Sequence, residues 1–253
     1  MTWRVVSASK IGTSHILTGT PCQDSCWAQV SCLHNQQPLL SMFVADGAGS
    51  AEKGGVGAEL AIEAAAAFVA KKVAQGEFGL SDALATDIVL AVRKGIYTAV
   101  ESENLKARDF ACTFLGVLSA PNGTLVLQVG DGGVVIDTGT GLEVAVVPMF
   151  GEYANMTYFV TDEDAVKLMK TKTYPDRAIK VAAFTDGIQR LALNLATNTP
   201  HVPFFAPFFD GMMKAAVEQE DQLQGLLSNF LGSQAVNDRT DDDKTLVLAV
   251  WRP

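Results

Sequence analysis

The chain has 253 residues, 48% hydrophobic and 19% charged, with a formal net charge of -9 at pH 7. That is apolar material for one large core or two small ones; with no linker and no fixed-period repeat in view, a single domain over residues 1–253 is expected. The acidic excess excludes a nucleic-acid partner, which needs a basic surface, and suits either a cation site or ordinary solubility.

No window approaches the run of about 18 apolar residues that a membrane helix requires, so no membrane partner is expected. Met1 to Val6 lacks the basic start and apolar stretch of a secretion signal. Cys22, Cys26 and Cys32 cluster but form no paired C-x-x-C, and no histidine follows at a zinc-finger interval. With Cys112 they read as reduced thiols of a cytoplasmic protein.

In chain order, Trp3 to Ser9 reads as a strand, and Gly12 to Asp24 as a polar loop containing His15, Gly19, Gln23 and Asp24. Cys26 to Leu33 and Leu39 to Ala45 are further strands. From about Ala51 to Val73 the spacing predicts a helix, with Leu60, Ala64, Ala67 and Phe68 on one face. Ser81 can cap a second helix with Asp82 in its first turn; Leu84, Ile88, Ala91, Val92, Gly95, Ile96 and Ala99 form its apolar stripe. The two helices are expected on a sheet face.

Phe110 to Ser119, Thr124 to Val129, Gly133 to Asp137 and Leu142 to Val147 read as short strands of an antiparallel meander. Their connections are hairpin turns at Asn122-Gly123, Asp131-Gly132 and Thr138 to Gly141. Pro148 to Asp176 shows no clear period, and Gly151 to Met156 reads as a loop or flap near the site. Val181 to Phe184 is a strand followed by a helix-like segment after Asp186. Phe204 to Val217 and Gln222 to Phe230 are short helices, and Lys244 to Trp251 is the last strand. The sum is an α+β sandwich of two facing antiparallel sheets with helices outside.

Three distant strands each carry aspartate at a tip: Asp46 after Leu39 to Ala45, Asp186 after Val181 to Phe184, and Asp241 to Asp243 before the last strand. Their meeting around divalent cations is the functional reading. At Asp46 and Asp186, each followed by a helical segment, a helix cap and a metal ligand both fit. Asp131 reads as a turn residue. An EF-hand is excluded, because position 6 counted from Asp238 is Asp243 rather than Gly, and position 12 is Ala249 rather than Glu. Gly49 and Gly54 have P-loop spacing, but Gly55 stands where lysine is required. With no G-x-S-x-G, and with Cys112 inside an apolar strand, carboxylates and metal-activated water are the economical chemistry.

Six elements in order then resemble the metal-dependent serine/threonine phosphatases of type 2C. They are Pro21-Cys22-Gln23-Asp24, Asp46-Gly47-Ala48-Gly49-Ser50, Asp109 to Thr113, Val129-Gly130-Asp131, Thr185-Asp186-Gly187 and Asp242-Asp243-Lys244-Thr245. The last resembles the family's Asp-Asn-x-Thr. The likeness spans nearly the whole chain and looks closest to a bacterial branch. It implies a four-layer α/β/β/α sandwich with two central antiparallel sheets, and a site at one end holding two Mn²⁺ or Mg²⁺ ions. By that resemblance Asp46 bridges both ions, the Gly47 carbonyl binds one, and Asp186 and Asp242 bind the other. Asp24, in the first acidic element, is a further candidate metal ligand, and Asp109 matches the ligand of a weaker third ion. A water activated between the ions attacks phosphoserine or phosphothreonine in a protein partner, and hard oxygen ligands favour Mn²⁺ or Mg²⁺.

Three positions depart from the pattern. Gln23 stands where an acid is usual, Gly19 where a phosphate-binding arginine is common, and Ala48 where a histidine often follows Asp-Gly. Lys10 or His15 is the candidate phosphate anchor. His15 or a metal-bound water is the candidate proton donor, which makes Asp46, Asp186 and His15 the catalytic set. A non-catalytic phosphoprotein-binding module, or a phosphatase of small phosphate esters, are the alternatives.

Overall fold

The computed structural model describes residues 2–76, 78–148 and 157–252. The N-terminal half contains β1 (Thr2–Lys10), α1 (Thr13–Thr18), β2 (Asp24–Cys32), β3 (Pro38–Asp46), α2 (Gly54–Gln75), α3 (Asp82–Glu103), β4 (Phe114–Ala120) and β5 (Gly123–Val129). Then come β6 (Gly133–Asp137), β7 (Glu143–Val146), α4 (Ala165–Leu168), β8 (Lys170–Tyr174), β9 (Lys180–Phe184) and α5 (Gln189–Ala192). The chain closes with β10 (Leu193–Asn194), β11 (Thr199–Pro200), α6 (Val202–Lys214), α7 (Glu220–Leu231), α8 (Gln234–Asn237) and β12 (Lys244–Arg252).

Two five-stranded sheets carry the fold, in the orders β2-β3-β4-β5-β8 and β1-β12-β9-β6-β7, and every pairing is antiparallel. The period-2 alternation of the strands sorts their side chains into three cores. On β3, Leu40, Met42 and Val44 face the space between the sheets, where they meet Val181, Ala183, Val247 and Ala249. Leu39, Phe43 and Ala45 of the same strand turn outward under α2 and α3. On β12, Leu246, Leu248 and Val250 turn the other way, beneath Phe205, Phe209 and Met212 of α6 and Leu227 and Leu231 of α7. The result is the expected α/β/β/α sandwich, in which β4, β5 and β6 are covered on both faces and buried along their whole length.

Several local expectations change. The Gly12 to Asp24 loop contains the short helix α1. The strand predicted from Phe110 begins at Phe114, because Ala107–Phe110 is a 3-10 turn. The stripe predicted on α2 is rotated: Ala58, Ala61, Ile62, Ala65 and Val69 are buried. Ala64 instead faces α3, where a Cβ on Gly95 would stand 2.9 Å from it. The stretch after Val147 holds α4 and the edge strand β8, while the flap predicted at Gly151 to Met156 lies outside the described residues.

The predicted meander is overturned at Asp131-Gly132. β5 and β6 belong to different sheets, so this dipeptide is a crossing from one layer to the other and not a hairpin. Glycines are needed there because the chain passes against β9: a Cβ on Gly133 would stand 2.5 Å from the Phe184 ring. Buried Gln128 braces the crossing by donating from Nε2 to the carbonyls of Gly130 (3.1 Å) and Gly132 (2.9 Å).

Candidate active site

The strands that carry candidate carboxylates expose them at one end of the sandwich. β3 ends in Asp46, directly opposite Asp24 at the start of β2. β9 and β12 run antiparallel with Phe184 facing Leu246, so Asp186, just after β9, and Asp242, just before β12, emerge side by side. The crossing from β5 to β6 brings Asp131 to the same end. β1 pairs Lys10 with Lys244, and α1 then carries His15 over the opening.

Neither Asp46 nor Asp186 is a helix cap. α2 starts only at Gly54, with Lys53 at its N-cap, and Thr185 takes that position ahead of the 3-10 turn at Asp186–Ile188. The glycines that follow these aspartates let other segments of backbone approach closely. A Cβ on Gly47 would lie 2.3 Å from the Gly54 carbonyl carbon, and one on Gly187 would lie 1.9 Å from the Asp243 carbonyl oxygen.

Asp46, Asp131, Asp186 and Asp242 line one cavity of about 410 Å³, together with His15, Gln23, Gly47, Thr113, Thr157 and Phe159. Thr113 fixes the end of β3: its Oγ accepts from the Asp46 amide (3.0 Å), and its own amide donates to the Asp46 carbonyl (2.8 Å). The Asp131 carboxylate accepts from the Thr157 hydroxyl, and its carbonyl accepts from Gln189 Nε2 at 2.6 Å.

Crowding of like charge dominates the electrostatics. Burial raises Asp46 well above the usual carboxylate range, and the charges of Asp24, Asp186 and Asp242 add to it. Asp186 is pushed up to about 6 by burial and then by Asp131 and Asp242. Burial also raises Asp131, against the hydrogen bond from Thr157, and Asp242, against the bond from the Asp243 amide. Among the described residues, no lysine or arginine forms an ion pair with any of these four.

A divalent cation fits that arrangement. Asp186 Oδ1 is buried with no hydrogen-bond partner, burial and the neighbouring carboxylates raise both Asp46 and Asp186, and every candidate donor is a hard oxygen. Without a cation the carboxylates repel one another, and among the described residues no three His, Cys, Asp or Glu side chains stand in a group that could hold a metal ion as placed.

Of the residues named from sequence, Asp46, Gly47, Asp186, Asp242 and His15 share the cavity. Asp24 does not line it. It lies buried behind Asp46, where its Oδ2 accepts from the Thr185 hydroxyl at 2.7 Å and burial pushes it up to about 8. Asp109 lies in an adjoining groove with Ser50, Arg108, Phe159 and Asp162, its Oδ2 accepting from the Lys106 amide at 2.9 Å. Lys10, the other candidate anchor, is not among the lining residues. Two residues were missed as site members. Local spacing makes Asp131 a hairpin turn, although the three glycines around it exceed what a two-residue turn needs. Asp243, adjacent to Asp242, proves to hold His15: His15 Nδ1 lies 2.9 Å from Asp243 Oδ2.

A family model described as Protein phosphatase 2C matches residues 11–228. The chain belongs to the protein phosphatase 2C family. Its enzyme class is serine/threonine protein phosphatase. A relative of this phosphatase in Escherichia coli (strain K12), serine/threonine-protein phosphatase 3, is 60% identical over 251 residues, covering 99% of each chain. The solved catalytic domain of the serine/threonine protein phosphatase PstP, in complex with two manganese ions, matches with a TM-score of 0.61 at 18% identity, over 98% of this chain and 97% of that one. The serine/threonine phosphatase of S. agalactiae gives 0.60 at 14% identity, over 98% and 99%. Stp1 from Staphylococcus aureus gives 0.58 at 12%, over 100% and 96%. At such identities these structures establish the fold of this phosphatase. No helix among the described residues is long and apolar enough to cross a membrane.

Proposed function

We propose that this phosphatase hydrolyses phosphoserine and phosphothreonine in proteins and depends on two divalent cations, Mn²⁺ or Mg²⁺. The observation that carries the reading is the convergence of Asp46, Asp131, Asp186 and Asp242 on one cavity, with no lysine or arginine paired to them among the described residues. Asp46, Asp186, Asp242 and the Gly47 carbonyl would hold the pair, and Asp109 in its side groove a weaker third ion. Asp24 supports the site from behind through Thr185 instead of ligating. Bound there, the cations supply a nucleophilic water at neutral pH and offset the phosphate charge.

The remaining chemistry belongs to the chain. An acidic pocket repels a phosphate dianion, so the same carboxylates that recruit cations also make substrate binding conditional on them. His15 stands at the cavity wall to protonate the departing serine or threonine oxygen. The 253 residues act in this reading as a single catalytic domain in the cytoplasm, a compartment that suits the four free cysteines.

The test is phosphate release from phosphoserine and phosphothreonine peptides by purified protein with and without Mn²⁺ or Mg²⁺. Turnover that needs the metal, and is lost in Asp46→Asn with the fold intact, is the expected result. Protein shown by calorimetry to be saturated with metal yet inert on every peptide would exclude the reading. Faster turnover of nucleotides than of peptides would move it to small phosphate esters.

A further inference from the structure

The histidine that lines the cavity is His15. Ala48 stands where a histidine often follows Asp-Gly, and Asp243 stands where the closing motif carries asparagine. In the fold, the Asp243 carboxylate engages the imidazole of His15, a residue on a different element and 228 positions away in sequence. We propose that Asp243 is a positioning residue that fixes the tautomer and aim of His15, and that His15 so held is the proton donor to the leaving serine or threonine oxygen. This rests on the phosphatase reading above.

Asp243 is only 3% exposed. Its Oδ1 accepts from the Gly12 amide at 2.6 Å, and its Oδ2 accepts from the Gln23 amide at 2.6 Å and from His15 Nδ1 at 2.9 Å. Both oxygens are thus engaged by the protein, whereas Asp242, which lines the cavity, accepts from the Asp243 amide through Oδ1 at 2.8 Å. A carboxylate that receives two backbone amides is an acceptor for its third partner, so Nδ1 must carry hydrogen. An asparagine could present its NH₂ instead and would not impose that choice. With Nδ1 committed, Nε2 is the nitrogen left for a ligand. The buried carboxylate also balances the positive charge of the ring when Nε2 is protonated, as a donor requires.

The support is rigid. A Cβ on Gly12 would lie 2.4 Å from the Asp241 carbonyl oxygen, so the start of α1 rests directly on the loop that carries Asp242 and Asp243. The Ser14 amide and hydroxyl both donate to that same carbonyl, at 3.0 and 2.7 Å. The imidazole and the Asp242 carboxylate are therefore built on one unit. In the step itself the P–O bond to the side chain breaks, and its electron pair goes to the leaving oxygen. That oxygen takes the proton from Nε2 and departs as the alcohol. Water supplies the fourth oxygen of the phosphate and its released proton goes to solvent, which reprotonates the ring.

The first test uses metal-free protein labelled with ¹⁵N-histidine. The neutral His15 ring is expected as the Nδ1–H tautomer, and Asp243→Asn should remove that preference. A wild-type ring protonated on Nε2 in its neutral form overturns the proposal. The second test compares leaving groups on Mn²⁺-loaded enzyme. His15→Gln and Asp243→Asn should each lower kcat on a phosphoserine peptide by about 100-fold or more, the usual contribution of a general acid. Both should leave p-nitrophenyl phosphate, whose leaving group needs no proton, nearly unchanged, and the double variant should be no worse than His15→Gln. Equal losses on both substrates, or additive losses, overturn the proposal, and if Asp243→Asn fails to fold the wild-type tautomer together with His15→Gln decides the question. Wild-type protein inactive on both substrates would instead remove the phosphatase reading and leave the tautomer measurement as the separate test of positioning.

Discussion

Four carboxylates around one small volume cost free energy for as long as nothing neutralises them. Asp186 carries much of that cost, being buried, raised to about 6 and left with an unpartnered oxygen. Asp186→Asn removes one charge from the cluster. In chelator-treated protein at pH 8 it is expected to raise stability by about 1–2 kcal/mol, since each unit of pKa displacement is worth about 1.4 kcal/mol. The same change abolishes metal-stimulated turnover. Calorimetric melting with chelator present reads the first effect, and a lower Tm for the variant would contradict it. Gly187 supplies the opposite case: a methyl group there meets the Asp243 backbone at 1.9 Å, where no flexible side chain can give way. Gly187→Ala should cost at least about 1–3 kcal/mol by overpacking and displace Asp242 and Asp243. Urea midpoints that match wild type would refute the close approach.

The helices illustrate what a pattern read along one element can and cannot supply. Ser81 accepts from the Leu84 amide at 3.3 Å and caps α3 as its place before Asp82 suggests. Ser81→Ala is expected to lose about 1 kcal/mol, measurable by chemical denaturation, with metal-dependent kcat unaltered because the cap is remote from the cavity. The apolar face of α2 differs from the expected one because the helix is rich in alanine, so more than one stripe fits the helical period. Packing against β3 and α3 chose between them. The crossing at Asp131 has the same cause. Short apolar strands joined by Asp-Gly satisfy a hairpin locally, and nothing within five residues reports that the next strand pairs with β9.

At the scale of the whole molecule, stability, pH and metal are linked through the acidic end. Asp186 and Asp24 titrate at about 6 and about 8 in the fold, against about 4 for an unfolded aspartate. The folded state therefore binds more protons across this window, and stability present at pH 4 is lost as pH rises through 6 and then 8. Metal-free protein should show a Tm that falls between pH 5 and pH 8. Divalent cation at 100 times its Kd should return about 2.7 kcal/mol and flatten the profile. A Tm of the chelated protein that rises over that pH range would contradict the sign.

The alternating strands, the two long helices, the cap at Ser81 and the aspartates at strand tips were all written in local sequence, because side-chain period and turn chemistry act over a few residues. The motif order carried the family and pointed to Asp46, Asp186 and Asp242. Only the tertiary structure decided that Asp131 joins them while Asp24 and Asp109 stand aside, and that His15 is held by Asp243. Those facts depend on which strand lies beside which, and that is settled by packing between segments up to two hundred residues apart. No local period records that choice.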